Sequence, residues 1–103
     1  MRRRLTYASR ALADLDTVRG WLTQPGSGPR ARRKLISIWI AIERLRDYPC
    51  LYTFGDHPGV REAPTDGGYR ALYRVYPDTG HNETAGDVVV LRVFGPRQSR
   101  ARL

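Results

Sequence analysis

The chain has 103 residues, with 18 Lys+Arg against 10 Asp+Glu and a formal charge of +8. This length supports one domain with a single core that buries roughly two thirds of the unfolded surface, and leaves no material for a second core or a deep, walled active site. Cys50 is the single cysteine, which excludes an internal disulfide framework and a multi-cysteine zinc site and suits a reducing compartment.

Met1-Arg2-Arg3-Arg4 carries the charge of a signal-peptide start, but Leu5 to Arg10 supplies no apolar run, so no secretion signal is expected. The longest near-apolar stretch, 35–42, contains Ser37 and is far short of the ~20 residues a bilayer needs. A soluble cytoplasmic protein with no membrane partner is the expectation. Leu5 and Tyr7 alternate with Arg4 and Thr6, which predicts a short half-buried strand, and Ser9 stands where a helix cap belongs. Leu12, Leu15, Val18 and Leu22 then recur at helical spacing, with Asp14, Asp16 and Arg19 on the other side, predicting an amphipathic helix over 10–23. Residues 24–29, rich in Gly and Pro, break it. Pro29 suits the first turn of a second helix with a buried stripe of Leu35, Ile38, Trp39, Ile42 and Leu45, stopped by Tyr48-Pro49. Trp21 and Trp39 are assigned to packing within this helical pair.

Residues 50–58 show no sustained period and read as a surface loop. Three strands follow, over 60–63, 69–76 and 87–94, the last marked by Val88-Val89-Val90-Leu91. The final two form a hairpin whose connection, 77–86, is longer than hairpins favour and polar enough to be mobile. Gly95-Pro96 ends the last strand, and the tail 97–103 carries three arginines.

Lys34 is the only lysine. The positive charge is therefore almost wholly guanidinium, a planar fork suited to phosphates and carboxylates. The surplus creates a field that attracts nucleic acid or an acidic protein. Strand alternation sends Tyr69, Ala71, Tyr73 and Val75 to the core and Arg70, Leu72, Arg74 and Tyr76 outward. The same count places Val89, Leu91 and Val93 on the helices and Val88, Val90, Arg92 and Phe94 outside. Arg70, Arg74 and Arg92 then share an outer face able to take an acidic amphipathic peptide or phosphates with stacked bases. His57 with Asp56, and His81 with Glu83 and Asp87, lack the fixed spacing of catalytic or metal sites, so no metal and no cofactor are expected. Residues 26–29 lack the lysine and spacing of a P-loop. Cys50 reads as buried and inert.

The segment Tyr69-Arg70-Ala71-Leu72-Tyr73-Arg74-Val75, with the opening 9–22 and the closing 89–97, resembles the RelE/ParE superfamily of toxins from bacterial type II toxin-antitoxin modules. The resemblance covers nearly the whole chain. It implies an α+β fold: an N-terminal strand, a helical hairpin, then a three-stranded antiparallel meander, with the hairpin packed on one face of the sheet. Val60-Arg61-Glu62, Tyr69-Arg70 and Leu91-Arg92-Val93 resemble the ParE-like branch, which implies a poison of DNA gyrase held by a cognate, ParD-like antitoxin in a hetero-oligomeric complex. Under that likeness Arg61, Arg70, Arg74, Arg92 and Arg97 bind target or antitoxin. The alternative branch, RelE-like ribosome-dependent messenger RNA endoribonucleases, implies catalytic roles for Arg61, Arg70 and Arg97. The tyrosine that branch uses near the C terminus is missing here, and residues 98–103 hold no replacement acid or base. Phe94-Gly95-Pro96-Arg97 also departs from the His-Gly pair common before the arginine in ParE relatives. A non-toxic, basic nucleic-acid-binding relic is the third reading, for which the charge alone suffices.

Overall fold

The computed structural model describes residues 3–98 and 103. Strand β1 (Leu5–Tyr7) leads into helices α1 (Ser9–Leu22) and α2 (Gly28–Arg44), followed by β2 (Arg61–Pro64), β3 (Arg70–Tyr76) and β4 (Asp87–Phe94), with a single 3-10 turn at Asp66–Gly68. The sheet order is β1-β4-β3-β2. β2, β3 and β4 form the expected antiparallel meander, and β1 lies parallel to β4, so the sheet is mixed. The helical hairpin covers one face. Its buried residues Ala11, Leu15, Val18, Ile38 and Ile42 meet Ala71, Tyr73, Val75, Val88, Val90 and Val93 of the sheet in the main core.

The helices begin and end near the expected places, but their buried stripes differ. Ala11 is buried and Leu12 is exposed; in α2, Ala41 is buried while Trp39 is 43% exposed, and Trp21 of α1 is 66% exposed. Small alanines at the contact let each helix axis approach its neighbours, and this turns the bulkier residues beside them outward. Ala8, extended and without a side-chain cap, precedes α1 in place of a Ser9 cap. Its N–H donates to the Val90 carbonyl at 2.9 Å and its own carbonyl accepts from Leu12 at 3.1 Å, so this one residue bonds to both sheet and helix.

A bulge decides which residues of β4 face the core. Leu72 pairs with Arg92 and Tyr73 pairs with Val90, leaving Leu91 as an extra residue. A residue inserted this way reverses the alternation on its far side. Val88 and Val90 therefore enter the core beside Val93, whereas Leu91 packs on the opposite face; the expected inward set Val89, Leu91, Val93 holds only for Val93. Arg92 and Phe94 are outward, as expected. That outer face is not simply wet: Val60, Leu72 and Phe94 are buried there in a second, smaller apolar cluster.

The 77–86 connection, expected to be mobile, is strapped down by two arginines and an asparagine. Arg3 donates from Nε to the Gly86 carbonyl at 2.7 Å and from Nη2 to the carbonyls of Asn82 and Ala85 at 2.8 Å, and its Nη1 reaches the carbonyl of Arg46 beyond α2. Asn82 Oδ1 accepts from the Cys50 N–H at 2.8 Å. Arg61 holds Asp78 from the other side.

Candidate functional site

Arginines on the outer sheet face are placed by β3 and β4. Arg70 and Arg74 flank Leu72 on one side of β3, and Arg92 stands opposite Leu72 on β4, so all three share the face inferred from alternation. Their environments differ. Arg92 donates from Nε and Nη2 to the two carboxylate oxygens of Asp14 at 2.7 and 3.0 Å and lies over the Phe94 ring. Asp14 Oδ2 also accepts the Val93 N–H at 2.9 Å, closing the edge of β4 that the short β1 leaves open. Hydrogen bonding to Asp14 raises the Arg92 pKa further. Among the described residues Arg70 and Arg74 make no ion pair, and both are partly exposed. Arg74 lies against Gly59, where an added Cβ would come within 3.1 Å of Nη1. Arg97 is exposed beyond the end of β4.

Arg61 is elsewhere. It pairs across β2 and β3 with Tyr73, a core residue, so it projects toward the opposite side of the sheet from Arg70. Only 6% of Arg61 is exposed. Its Nε and Nη2 clamp Asp78 at 2.9 Å each, Nη1 donates to the Tyr52 carbonyl at 2.7 Å, and the Phe54 ring lies 4.1 Å away. Hydrogen bonding to Arg61 holds the Asp78 carboxyl below its ordinary range. Arg61, Arg70 and Arg97 are therefore not gathered on one face. Cys50 is half-buried beside this pair, its Sγ 3.8 Å from Asp78 Oδ1, and burial pushes the thiol pKa up. Among the described residues no three His, Cys, Asp or Glu side chains converge as a metal ion would need. No described helix is long and apolar enough to cross a membrane.

A second surface lies on α2 and was not singled out from the sequence. Ile36 and Ile40, one turn apart, are about half exposed, and Trp39 is exposed on their flank. Ile36 and Ile40 edge an open groove of about 530 Å³ that also involves Arg33, Arg44, Tyr52, Pro64 and Asp66. A further groove of about 670 Å³ shares Ile40 and Arg44 and continues toward Arg3 and Tyr48. The sequence does carry a signal. Leu35, Ile36, Ile38, Trp39, Ile40, Ala41 and Ile42 surround the helix, more apolar surface than one sheet face can cover.

No protein-family model and no curated protein matches this sequence. Among solved structures, a chain of the chromosomal ParDE TA system from P. aeruginosa aligns with a TM-score of 0.65 at 19% identity, covering 88% of this chain and 92% of that one. The chain has a RelE/ParE-like fold. Within this ParE-like architecture the outer arginine face and the apolar side of α2 lie on different surfaces: the first on the sheet, the second on the helical hairpin behind it.

Proposed function

We propose that the protein is the toxin of a type II toxin-antitoxin module, acting on DNA gyrase and neutralised by a cognate, ParD-like antitoxin. The observation that carries this reading is the shared fold over 88% of the chain with a component of a ParDE system. The two surfaces divide the work. An acidic, amphipathic antitoxin segment covers Ile36 and Ile40 between Arg33 and Arg44, with Trp39 on the flank, ordering as it binds. Arg70, Arg74 and Arg97 remain for target or antitoxin contact, while Arg61 and Arg92 support the site from their ion pairs. A catalytic set of Arg61, Arg70 and Arg97 is disfavoured by their separation and by the missing tyrosine, so messenger RNA cleavage ranks second.

Overexpression with and without the neighbouring gene tests the module directly: growth arrest relieved by the neighbour is expected, and harmless expression refutes it in favour of a relic. Purified protein is expected to inhibit gyrase supercoiling. Inertness there together with ribosome-dependent messenger cleavage would move the assignment to the ribonuclease branch. Arg70→Ala is expected to weaken toxicity or antitoxin affinity with the fold intact, and full toxicity with unchanged binding refutes its role.

A further inference from the structure

Charge is spread unevenly between the two ends of the sheet. The turn at Asp66–Gly68 stands at one end, joining the close of β2 to the start of β3. It touches both layers of the fold. Ser37 Oγ of α2 accepts the Asp66 N–H at 2.9 Å, and a Cβ added at Gly67 would come within 2.8 Å of the Lys34 stem. One added at Gly68 would come within 2.9 Å of Pro96, the neighbour of Arg97. Arg33 and Lys34 follow Arg30 by three and four residues on one side of α2, and the three line an open cleft of about 400 Å³ with Asp66 and Gly67. Across the turn, Arg70 opens β3 opposite Phe94. Arg30, Arg33, Lys34, Arg70 and Arg97 therefore gather around the single carboxylate of Asp66, and among the described residues none of these cations makes an ion pair. The opposite end, built from 46–58 and 77–87, carries Asp47, Asp56, Asp78, Glu83 and Asp87, and its Arg46 and Arg61 are held in ion pairs.

We propose that this basic end is a docking site for duplex DNA, with backbone phosphates held in the α2 cleft by Arg30, Arg33 and Lys34 and the contact continued past the turn by Arg70 and Arg97. The cleft has no apolar lining residue. An acidic peptide would need one as an anchor, whereas a phosphate backbone binds through charge alone. Guanidinium forks match phosphate oxygens in pairs. A duplex presents one charge per ~1.7 Å of axis, against one per ~3.4 Å for a single strand, so a compact group of cations reaches more phosphates on a duplex. Contacts of this kind fix position on the backbone and read no base sequence. Arg33 also lines the groove of Ile36 and Ile40, so a partner seated in that groove competes with DNA. The inference rests on the placement of charge and does not depend on the toxin reading.

Fluorescence anisotropy of a short labelled DNA duplex, titrated with the full chain between about 50 and 200 mM salt, tests it. Each phosphate contact contributes a slope of about 0.9 in log K against log salt. The double variant Arg30→Ala, Lys34→Ala is expected to bind about tenfold more weakly or worse at low salt and to flatten the slope by about 1.8. Arg4→Ala with Arg44→Ala removes the same charge from exposed positions away from this end and is expected to weaken binding by less than about threefold. Asp66→Asn deletes the one carboxylate of the cleft and is expected to bind tighter. Equal weakening by the two double variants shows only the field of the net charge and overturns the proposal. A polyglutamate peptide that displaces the duplex at equal concentration of charge overturns it too, and assigns this end to an acidic protein.

Discussion

Arg61→Ala separates a supporting arginine from a binding one. Arg61 makes two hydrogen bonds of 2.9 Å to Asp78 and one of 2.7 Å to the Tyr52 carbonyl, from a position only 6% exposed. Removing one partner of a buried pair typically costs about 3–5 kcal/mol, because the remaining charge is stranded. Asp78 keeps the Gly80 N–H at 3.1 Å and its side chain is 18% accessible, so some hydration softens the loss. The lower end applies, about 3 kcal/mol, or roughly 15 °C in Tm for a chain of this size. The sign with pH follows from Asp78, whose pKa is lowered by Arg61. A depressed carboxyl stabilises the fold at pH values above its unfolded pKa of about 3.9, and that contribution is lost as pH falls through the folded value. Urea melts from pH 7 to pH 2.5 are expected to show a component of stability that fades below about pH 4 in the parent and is missing in Arg61→Ala. A destabilisation under about 0.5 kcal/mol, the range of an ordinary surface change, would refute the assignment of Arg61 to structure.

Asp14→Ala strands Arg92 and leaves the Val93 N–H without its acceptor, so a loss of about 2–3 kcal/mol is expected by urea denaturation; a loss near zero would mean that the β4 edge needs no closure. Trp39→Lys and Ile40→Lys, on exposed positions, are expected to shift stability by no more than about 0.5 kcal/mol while weakening capture of the co-expressed antitoxin, and intact capture by both counts against the α2 surface. Deleting Leu91 restores unbroken alternation with Val88, Val90 and Val93 still inward, so its thermal melt is expected to be far milder than that of an Ala71 deletion, which takes a paired residue from β3, where none is extra, and drives that strand out of register. Equal damage from the two deletions would contradict the bulge.

Local pattern carried far in this chain, and failed where distant partners decide. Asp87–Phe94 is the observed β4, because a run of β-branched residues bounded by turn formers has few other uses. The outward placement of Arg70 and Arg74 followed from β3 alone, where Ala71, Tyr73 and Val75 supply an unbroken inward set. β4 defeated the same count because Leu91 is as apolar as a core residue and nothing adjacent marks it as an insertion. Arg61 was equally opaque: its partner Asp78 lies in a different connection and is brought near only by the hairpin. Trp21 and Trp39 were misread because hydrophobicity ranks residues by size, whereas the contact between helix and sheet selected Ala11 of α1 and Ile38 and Ile42 of α2.

Internal ion pairs remove as much negative as positive charge, so pairing Arg61 with Asp78, Arg92 with Asp14 and Arg46 with Glu43 leaves the surplus of +8 undiminished on the rest of the surface. Part of it sits where it opposes folding. Arg30 falls in the first turn of α2 and Arg32, Arg33 and Lys34 just beyond it, and that turn holds no acidic residue, although the positive end of a helix dipole favours an anion there by about 0.3–1 kcal/mol. An acidic partner along α2 would reverse that sign and at the same time cover Ile36 and Ile40, which lie on the same helix beside Arg33 and Arg44. The unfavourable charge and the uncovered apolar surface therefore call for one occupant of mixed acidic and apolar character. Raising salt screens only the first of these, so α2 is expected to be better ordered in high salt while its exposed isoleucines stay unpartnered, and only an occupant of mixed character answers both.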